Sequence, residues 1–527
     1  MRHPSLPDLP TRTSRRLGAG LAAAALALTS LTACSSAVGE QSGGGAQGGG
    51  VLEIGATNDL VPATFFTNSS DSTNVVVGNV YDSLVDYPAD SLEPQPSLAT
   101  SWELADDGLS LTLQLRDDVR FHDGRPFTSE DVAFSIRTWA DPAWAVQLQR
   151  TAAAVTDIDT SDPHEVTLGF EHPLSNVFDL LDMVPIIDEE SFDQLADGEA
   201  YVGTGPFVFE SWTPSSEIVL SRNDDYWAEE PELEGIDISI VGDPQSQVSQ
   251  LRSGQLDLIT GASSRDLSSL ESGGDADVTS FAGAERNVYV GADLLNPQLE
   301  DPRLRKAIAF ALDRDRILDE VYQGAGFAAS LPWPEYSPAY DEQANATYFR
   351  DLDRARSLVD EVGDVGTVPL AYPAGVANYE ATAQIVQADL EEVGIRTELQ
   401  PLEFTDFIDK LIAGDFGGLW ILEHLYAQYT PSTLAVSAYP FNADKNASHF
   451  EDADYKEHAD AAWRLRDGTD QEAADLYSRL SQDLLDNAFL LEIAVLTPRI
   501  ASRGVEGLAW SKRAELDLTE ASLGDAS

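Results

Sequence analysis

Between Leu98 and Arg137 the apolar positions change period twice. Leu109, Leu111, Leu113 and Leu115 alternate with polar residues, the pattern of a strand with one buried face, after a turn at Asp106-Asp107-Gly108 where glycine can take positive φ. Beyond His122-Asp123-Gly124 and Pro126, Thr128 stands three residues before Asp131, a capping-box spacing. It predicts a helix over 129–139 carrying Val132, Phe134 and Ile136. Elsewhere the same reading predicts a first strand at 51–55, a loop over 57–64 containing Pro62, and a helix over 245–252 with Val248 and Leu251 on one face. Gly254 stops that helix before a strand at 255–259. Asp301 and Pro302 fit the cap and first position of a helix whose Leu304, Ile308 and Ala311 fall on one side. A strand at 368–372, a helix bearing Ala381, Ile385, Ala388 and Val393 and stopped by Gly394, a strand at 395–399 and a helix over 404–411 follow. Strand, helix, strand at that spacing implies a right-handed parallel crossover, and hence α/β architecture without an internal repeat.

At the N-terminus the pattern is of another kind. Arg12, Arg15 and Arg16 precede an apolar run from Leu17 to Leu28, the layout of an export signal and too short for a permanent span. Ser14-Arg15-Arg16 hints at twin-arginine export, but Gly18 stands where an apolar residue is usual, so ordinary Sec export is the default. The run ends at Leu31-Thr32-Ala33-Cys34, which resembles a bacterial lipobox, with residues 1–33 as signal peptide and Cys34 as the diacylated first mature residue. Residues 34–50, rich in Gly, Ser, Gln and Ala, read as the lipidated cysteine and a flexible tether. Cys34 is the only cysteine, so the exported chain has no disulfide and must hold together by its core, which the 527 − 33 = 494 residues beyond the signal peptide amply allow. Length alone predicts roughly three domains.

Composition removes partners rather than adding them. With 32 Lys and Arg against 90 Asp and Glu, the formal charge is −58, spread along the chain. Such a surface repels nucleic acid and anionic headgroups, so neither is expected as a partner.

The wording of the 98–137 segment closely resembles the signature of extracellular solute-binding protein family 5. Four further blocks continue the resemblance in order: Gly203-Thr204-Gly205-Pro206-Phe207 with Glu210-Ser211-Trp212; Leu220 to Trp227; Leu251 to Ile259; and Asp301 to Ile308 with Ala311-Leu312-Asp313-Arg314. The resemblance implies a two-lobed periplasmic-binding-protein-like α/β fold (type II) with an extra third domain. Lobe I would take 51–92, 202–283 and 497–527, the extra domain 93–201, and lobe III 284–496. It implies a monomeric lipoprotein on the extracytoplasmic face of a bacterial cell membrane. Such a receptor captures a peptide or modified peptide between the lobes and passes it to the permease subunits of an ABC importer. Receptors for metal chelates or sugars are the alternatives, and a lipid-anchored hydrolase a remote one.

In peptide-binding relatives, an Asp in an Ala-Asp-Tyr phrase of lobe III accepts the ligand's α-ammonium. The matching phrase here is Ala427-Gln428-Tyr429. Gln428 carries no charge for an ammonium ion, which argues against simple free-amine peptides, although Glu423 stands nearby as a substitute. Trp420, His424, Tyr426 and Tyr429 offer flat amphipathic surface, and His424 is a candidate donor to a metal complex. Trp333 is a candidate cleft residue with a loop-anchor reading beside it, and Asn58 and Asp59 lie where relatives touch ligand from lobe I. No G-x-S-x-G elbow, H-E-x-x-H or phosphate loop is present, and the seven histidines lack zinc-site spacing. No enzyme activity, metal or cofactor is expected. ATP hydrolysis would belong to other subunits.

Overall fold

Among the described residues, three larger β-sheets and three two-stranded ones organise the chain. The computed structural model describes residues 49–66, 70–142 and 147–524. Residues 1–48, which hold the expected signal peptide, Cys34 and most of the expected tether, lie outside the described residues.

The first sheet has seven strands in the order Asp277–Ser280, Arg499–Ser502, Leu258–Ile259, Val51–Ala56, Gly235–Ile240, Glu217–Arg222, Phe207–Thr213. Val51–Ala56 runs parallel to Gly235–Ile240, with Leu52 opposite Ile236 and Ile54 opposite Ile238, all four fully buried. The sheet thus collects segments from the start, middle and end of the sequence. The second has six strands in the order Gly326–Ala328, Leu490–Leu496, Arg286–Ala292, Leu419–His424, Thr367–Pro373, Arg396–Leu402. Its Thr367–Pro373 and Arg396–Leu402 pair in parallel across the helix Ala377–Glu392, the strand–helix–strand arrangement expected from the spacing. The third is four-stranded and antiparallel, in the order Ala99–Leu104, Ser110–Leu115, Glu165–Phe170, Val155–Asp162, and carries the helix Ser129–Ala140.

Local signals explain most boundaries. Thr128 and Asp131 form a complete capping box at the head of Ser129–Ala140, whose Val132 and Ile136 are buried. Gly254, at φ 71°, ends the helix Pro244–Ser253. Asp301 caps Pro302–Ala311, accepting from the Arg303 N–H.

Three expectations are corrected. Leu109 lies beyond the end of Ser110–Leu115 and is 39% exposed, because the core under that sheet stops at Leu111. The strand expected at 255–259 shrinks to Leu258–Ile259. The Gln255 N–H is spent on the carbonyl of Gln250, closing the preceding helix, and the Glu53 N–H meets the Asp257 side chain instead of a ladder carbonyl. In Ala377–Glu392, Ala388 is exposed, and the buried face is Thr382, Ala383, Ile385, Val386, Asp389 and Leu390. The polar Asp389 turns inward because its carboxylate accepts the Asp313 N–H at 2.8 Å and meets Arg350 at 3.3 Å.

Three of the blocks that carried the family resemblance meet in one place. A Cβ on Gly203 would lie 1.9 Å from the Val80 carbonyl oxygen, and one on Gly205 2.7 Å from that of Asn79, so only glycine fits. Between them Thr204 Oγ1 donates to Asp82, which also accepts from Tyr226 and from the Trp227 indole. His122 packs here too, its Nε2 3.0 Å from the Gly205 carbonyl. These residues build the fold.

Candidate functional site

The chain passes between the seven-stranded and six-stranded sheets at residues 281–285 and again at 497–498, and the two crossings touch where the Phe281 N–H donates to the Pro498 carbonyl at 3.0 Å. Around this junction lie polar groups that the fold leaves unused. Gln428 is 2% exposed, and neither its Nε2 nor its Oε1 has a hydrogen-bond partner among the described residues. Arg286 Nε and Trp510 Nε1 are buried and equally unpaired among those residues.

Short links tie these groups together. The Tyr336 hydroxyl donates to the Gln428 carbonyl at 3.2 Å and lies 3.5 Å from the Gly283 carbonyl. The Lys512 ammonium sits 3.8 Å over the Tyr336 ring and donates to the carbonyls of Ala89 and Gly283. Burial lowers its pKa to about 8. The Arg286 guanidinium lies 5.9 Å from the Trp510 ring centre, and Trp510 packs on Phe281. Three segments far apart in sequence, 281–286, 426–428 and 510–512, therefore meet at the crossing strands. Chemically the place offers one neutral amide, unpaired N–H donors, one unpaired carboxylate oxygen on Glu285 facing the Lys512 charge, and aromatic walls.

The residues singled out from sequence divide between this place and the core. Gln428 belongs to it. Glu423 is half-buried, accepts from Tyr322 at 3.4 Å, and has its carboxyl pKa raised by burial, with the Arg286 charge and the Tyr322 hydroxyl opposing. Tyr426 is also half-buried, its ring stacked on His424.

The others are engaged elsewhere. His424 is 3% exposed; its Nε2 lies 3.1 Å from Glu492, and its Nδ1 accepts from the Tyr426 N–H. Both ring nitrogens are occupied, which withdraws it as a donor to a metal complex. Trp420 is fully buried, stacked on Phe416 at 4.7 Å and bonded to the Tyr289 hydroxyl, so it is core of the six-stranded sheet. Trp333 is a loop anchor, 1% exposed, its indole donating to Ser481. The Tyr429 hydroxyl donates to Asp182. Asp59 accepts from the Trp212 indole and the Ser215 N–H, fastening a loop to a hairpin. Asn58 is exposed and tied to Asp71. Four neighbours that sequence reasoning passed over are Arg286, Tyr336, Trp510 and Lys512. Nothing in their local sequence marks them, since only the crossing strands bring them together.

A cavity of about 370 Å³ adjoins this place, sharing Ala89 and Trp510 with it, and is also lined by Asp82, Asp86, Asp182, Trp227 and Arg513, among others. Its charges are already paired: Arg513 reaches Asp86, Asp182 and Glu515, and Asp82 takes three donors. Among the described residues no cluster of three or more His, Cys, Asp or Glu is arranged to hold a metal ion, and no helix is long and apolar enough to cross a membrane.

Comparison with known proteins agrees with this architecture. Residues 93–447 match the family described as bacterial extracellular solute-binding proteins, family 5 Middle. A probable di/tripeptide-binding protein 5 of Pseudomonas aeruginosa is 27% identical over 66% of this chain and 71% of its own length. Heme-binding protein A of Haemophilus influenzae is 28% identical over 66% and 70%. The solved structure of the ABC transporter-associated periplasmic binding protein DppA from Helicobacter pylori, in complex with peptide STSA, superposes with a TM-score of 0.78. It covers 91% of this chain and 99% of that one at 19% identity, which establishes a shared fold. With the family matched over more than half of this chain, at residues 93–447, the chain belongs to the bacterial extracellular solute-binding proteins, family 5.

Proposed function

We propose that this protein is the solute receptor of an ABC importer. Lipid on Cys34 holds it at the outer face of a cell membrane, and it works as a monomer. It captures a peptide or modified peptide between lobe I (51–92, 202–283, 497–527) and lobe III (284–496), with 93–201 as the extra domain. Delivery is to permease subunits, and the chain does no covalent chemistry of its own.

The observation that carries this reading is the gathering of unpaired buried polar atoms of Gln428, Arg286 and Trp510 beside the two strands that link the sheets. A fold rarely leaves such groups unsatisfied, and at a two-strand junction the natural occupant is a ligand touching both sides. The names of the Pseudomonas and Helicobacter relatives favour a peptide. A micromolar dissociation constant corresponds to about −8 kcal/mol, within reach of one aromatic wall and a few hydrogen bonds. Contacts made from both lobes would favour a closed state over an open one. Small-angle scattering with a panel of free and modified peptides tests the reading: at least one should reduce the radius of gyration at saturation. No compaction with any peptide would overturn it. In cells, deletion should abolish uptake of the same solute while the ATPase subunits stay intact.

A further inference from the structure

We propose that Gln428 recognises a neutral amide of the solute, and that the preferred ligand is an N-acylated or lactam-capped amino acid or short peptide that keeps its carboxylate. The inference rests on the receptor reading and adds the chemical class of the solute. Gln428 ends the short turn Tyr426–Gln428, and its backbone carbonyl is already taken by Tyr336. Its side chain presents two N–H donors and one carbonyl acceptor, all buried and unmatched among the described residues.

The occupant must satisfy both ends of that carboxamide. An ammonium ion brings donors only; it would suit Oε1 and set its positive charge against the Nε2 hydrogens. A carboxylate brings acceptors only. A group with C=O and N–H on neighbouring atoms matches both, and burial then makes each bond selective, because a competitor lacking one leaves a buried polar group unpaired. The other unpaired groups specify the remainder of the solute. Arg286 Nε and Trp510 Nε1 are both donors, and Arg286 lies over the Trp510 ring, while the unpaired acceptor on the same crossing, Glu285 Oε2, already has the Lys512 charge nearby. Donors of this kind, one of them cationic, call for an anionic acceptor such as a carboxylate. Amide plus carboxylate, without ammonium, describes a capped amino acid or peptide.

Isothermal titration of the full chain with four defined probes tests this: N-acetyl-alanyl-alanine, pyroglutamyl-alanine, alanyl-alanine, and the C-terminal amide of N-acetyl-alanyl-alanine. At least one of the two capped acids should bind about tenfold or more tighter than alanyl-alanine or the capped amide, the difference expected from one buried mismatched hydrogen bond. Gln428→Asp should invert the order of capped and free-amine probes, and Arg286→Gln should bring the capped acid and its amide to equal affinity. Gln428→Leu, read in the absence of solute, controls for folding. Its melting temperature should equal or exceed that of the parent, because no satisfied amide is removed.

Equal or tighter binding of alanyl-alanine would overturn the amide reading while leaving the receptor role standing. So would a lowered melting temperature in Gln428→Leu, which would mean that internal water alone satisfies the side chain. Failure of both capped acids to bind would overturn it as well. Failure of the receptor role itself would appear separately, as absence of compaction with any peptide.

Discussion

His424 shows how a side chain suited to ligand chemistry is diverted into structure. Its imidazole bridges Glu492 and the Tyr426 N–H, and Glu492 is 2% exposed with Oε2 lacking a partner among the described residues. Removing the ring would strand a buried carboxyl. His424→Ala should therefore lower stability by roughly 3 kcal/mol, as for other broken buried pairs, read as a shifted denaturation midpoint. His424→Gln, which keeps a donor, should lose less. A variant with Ala that unfolds at the parent's midpoint would refute the assignment. At this scale sequence was a weak guide. His424, Trp420 and Gln428 sit within one phrase of nine residues, yet two are satisfied core and one is an unpaired amide. The difference is set by Glu492, Tyr289 and the crossing strands, none of which is near in sequence.

At the scale of elements, the helix Val177–Met183 carries two buried carboxylates that grip another part of the chain. Asp179 accepts from Tyr87, from Thr433, and from both the N–H and hydroxyl of Thr430, while Asp182 accepts from the Tyr429 hydroxyl. Burial raises Asp179 to about 6 and Asp182 to about 7, above the ordinary 3.8 of an aspartate; for Asp182, Arg513 opposes the rise while Asp86 and Glu515 add to it. In an unfolded chain both groups would ionise near their ordinary value. Between about pH 4 and pH 7 the folded state thus binds more protons, and this contribution to stability is full below the unfolded value and lost as pH rises through the folded ones. The melting temperature should fall between pH 5.5 and pH 8, and Asp182→Asn should raise it at pH 8 and flatten the profile. A parent profile that is level across that range would exclude the linkage. The elements were mostly legible in advance, because caps and periodicity are local. Thr128 with Asp131, Asp301 with Pro302, and Gly254 end or start helices using neighbours within a few residues. The inward turn of Asp389 was not legible, since its partners Asp313 and Arg350 come from other elements.

At the scale of the whole molecule, the proposed anchor and the charge act at the chain's N-terminal end and surface. Cys34 at the close of the apolar leader motivates a lipid anchor, and two acyl chains are what stable attachment requires. Cys34→Ala should move the protein from the membrane pellet to the soluble fraction on cell fractionation. Retention of the alanine variant in membranes would refute the anchor. With a formal charge of −58, the parent should not adhere to anionic membranes by electrostatics, so charge offers the released variant no route back.

The α/β class was legible in sequence because it rests on local signals, a capping box and strands that alternate, and the family because short blocks such as Gly203-Thr204-Gly205-Pro206-Phe207 resemble its own. Those signals are complete within a few residues. Which polar groups stay unpaired was decided only by the tertiary structure. Gln428, Arg286 and Trp510 are distant in sequence, and whether each finds a partner depends on which strands cross between the sheets and on what those strands bring into contact. Hydrogen-bond satisfaction is a property of the assembled interior, so no reading of single segments can supply it.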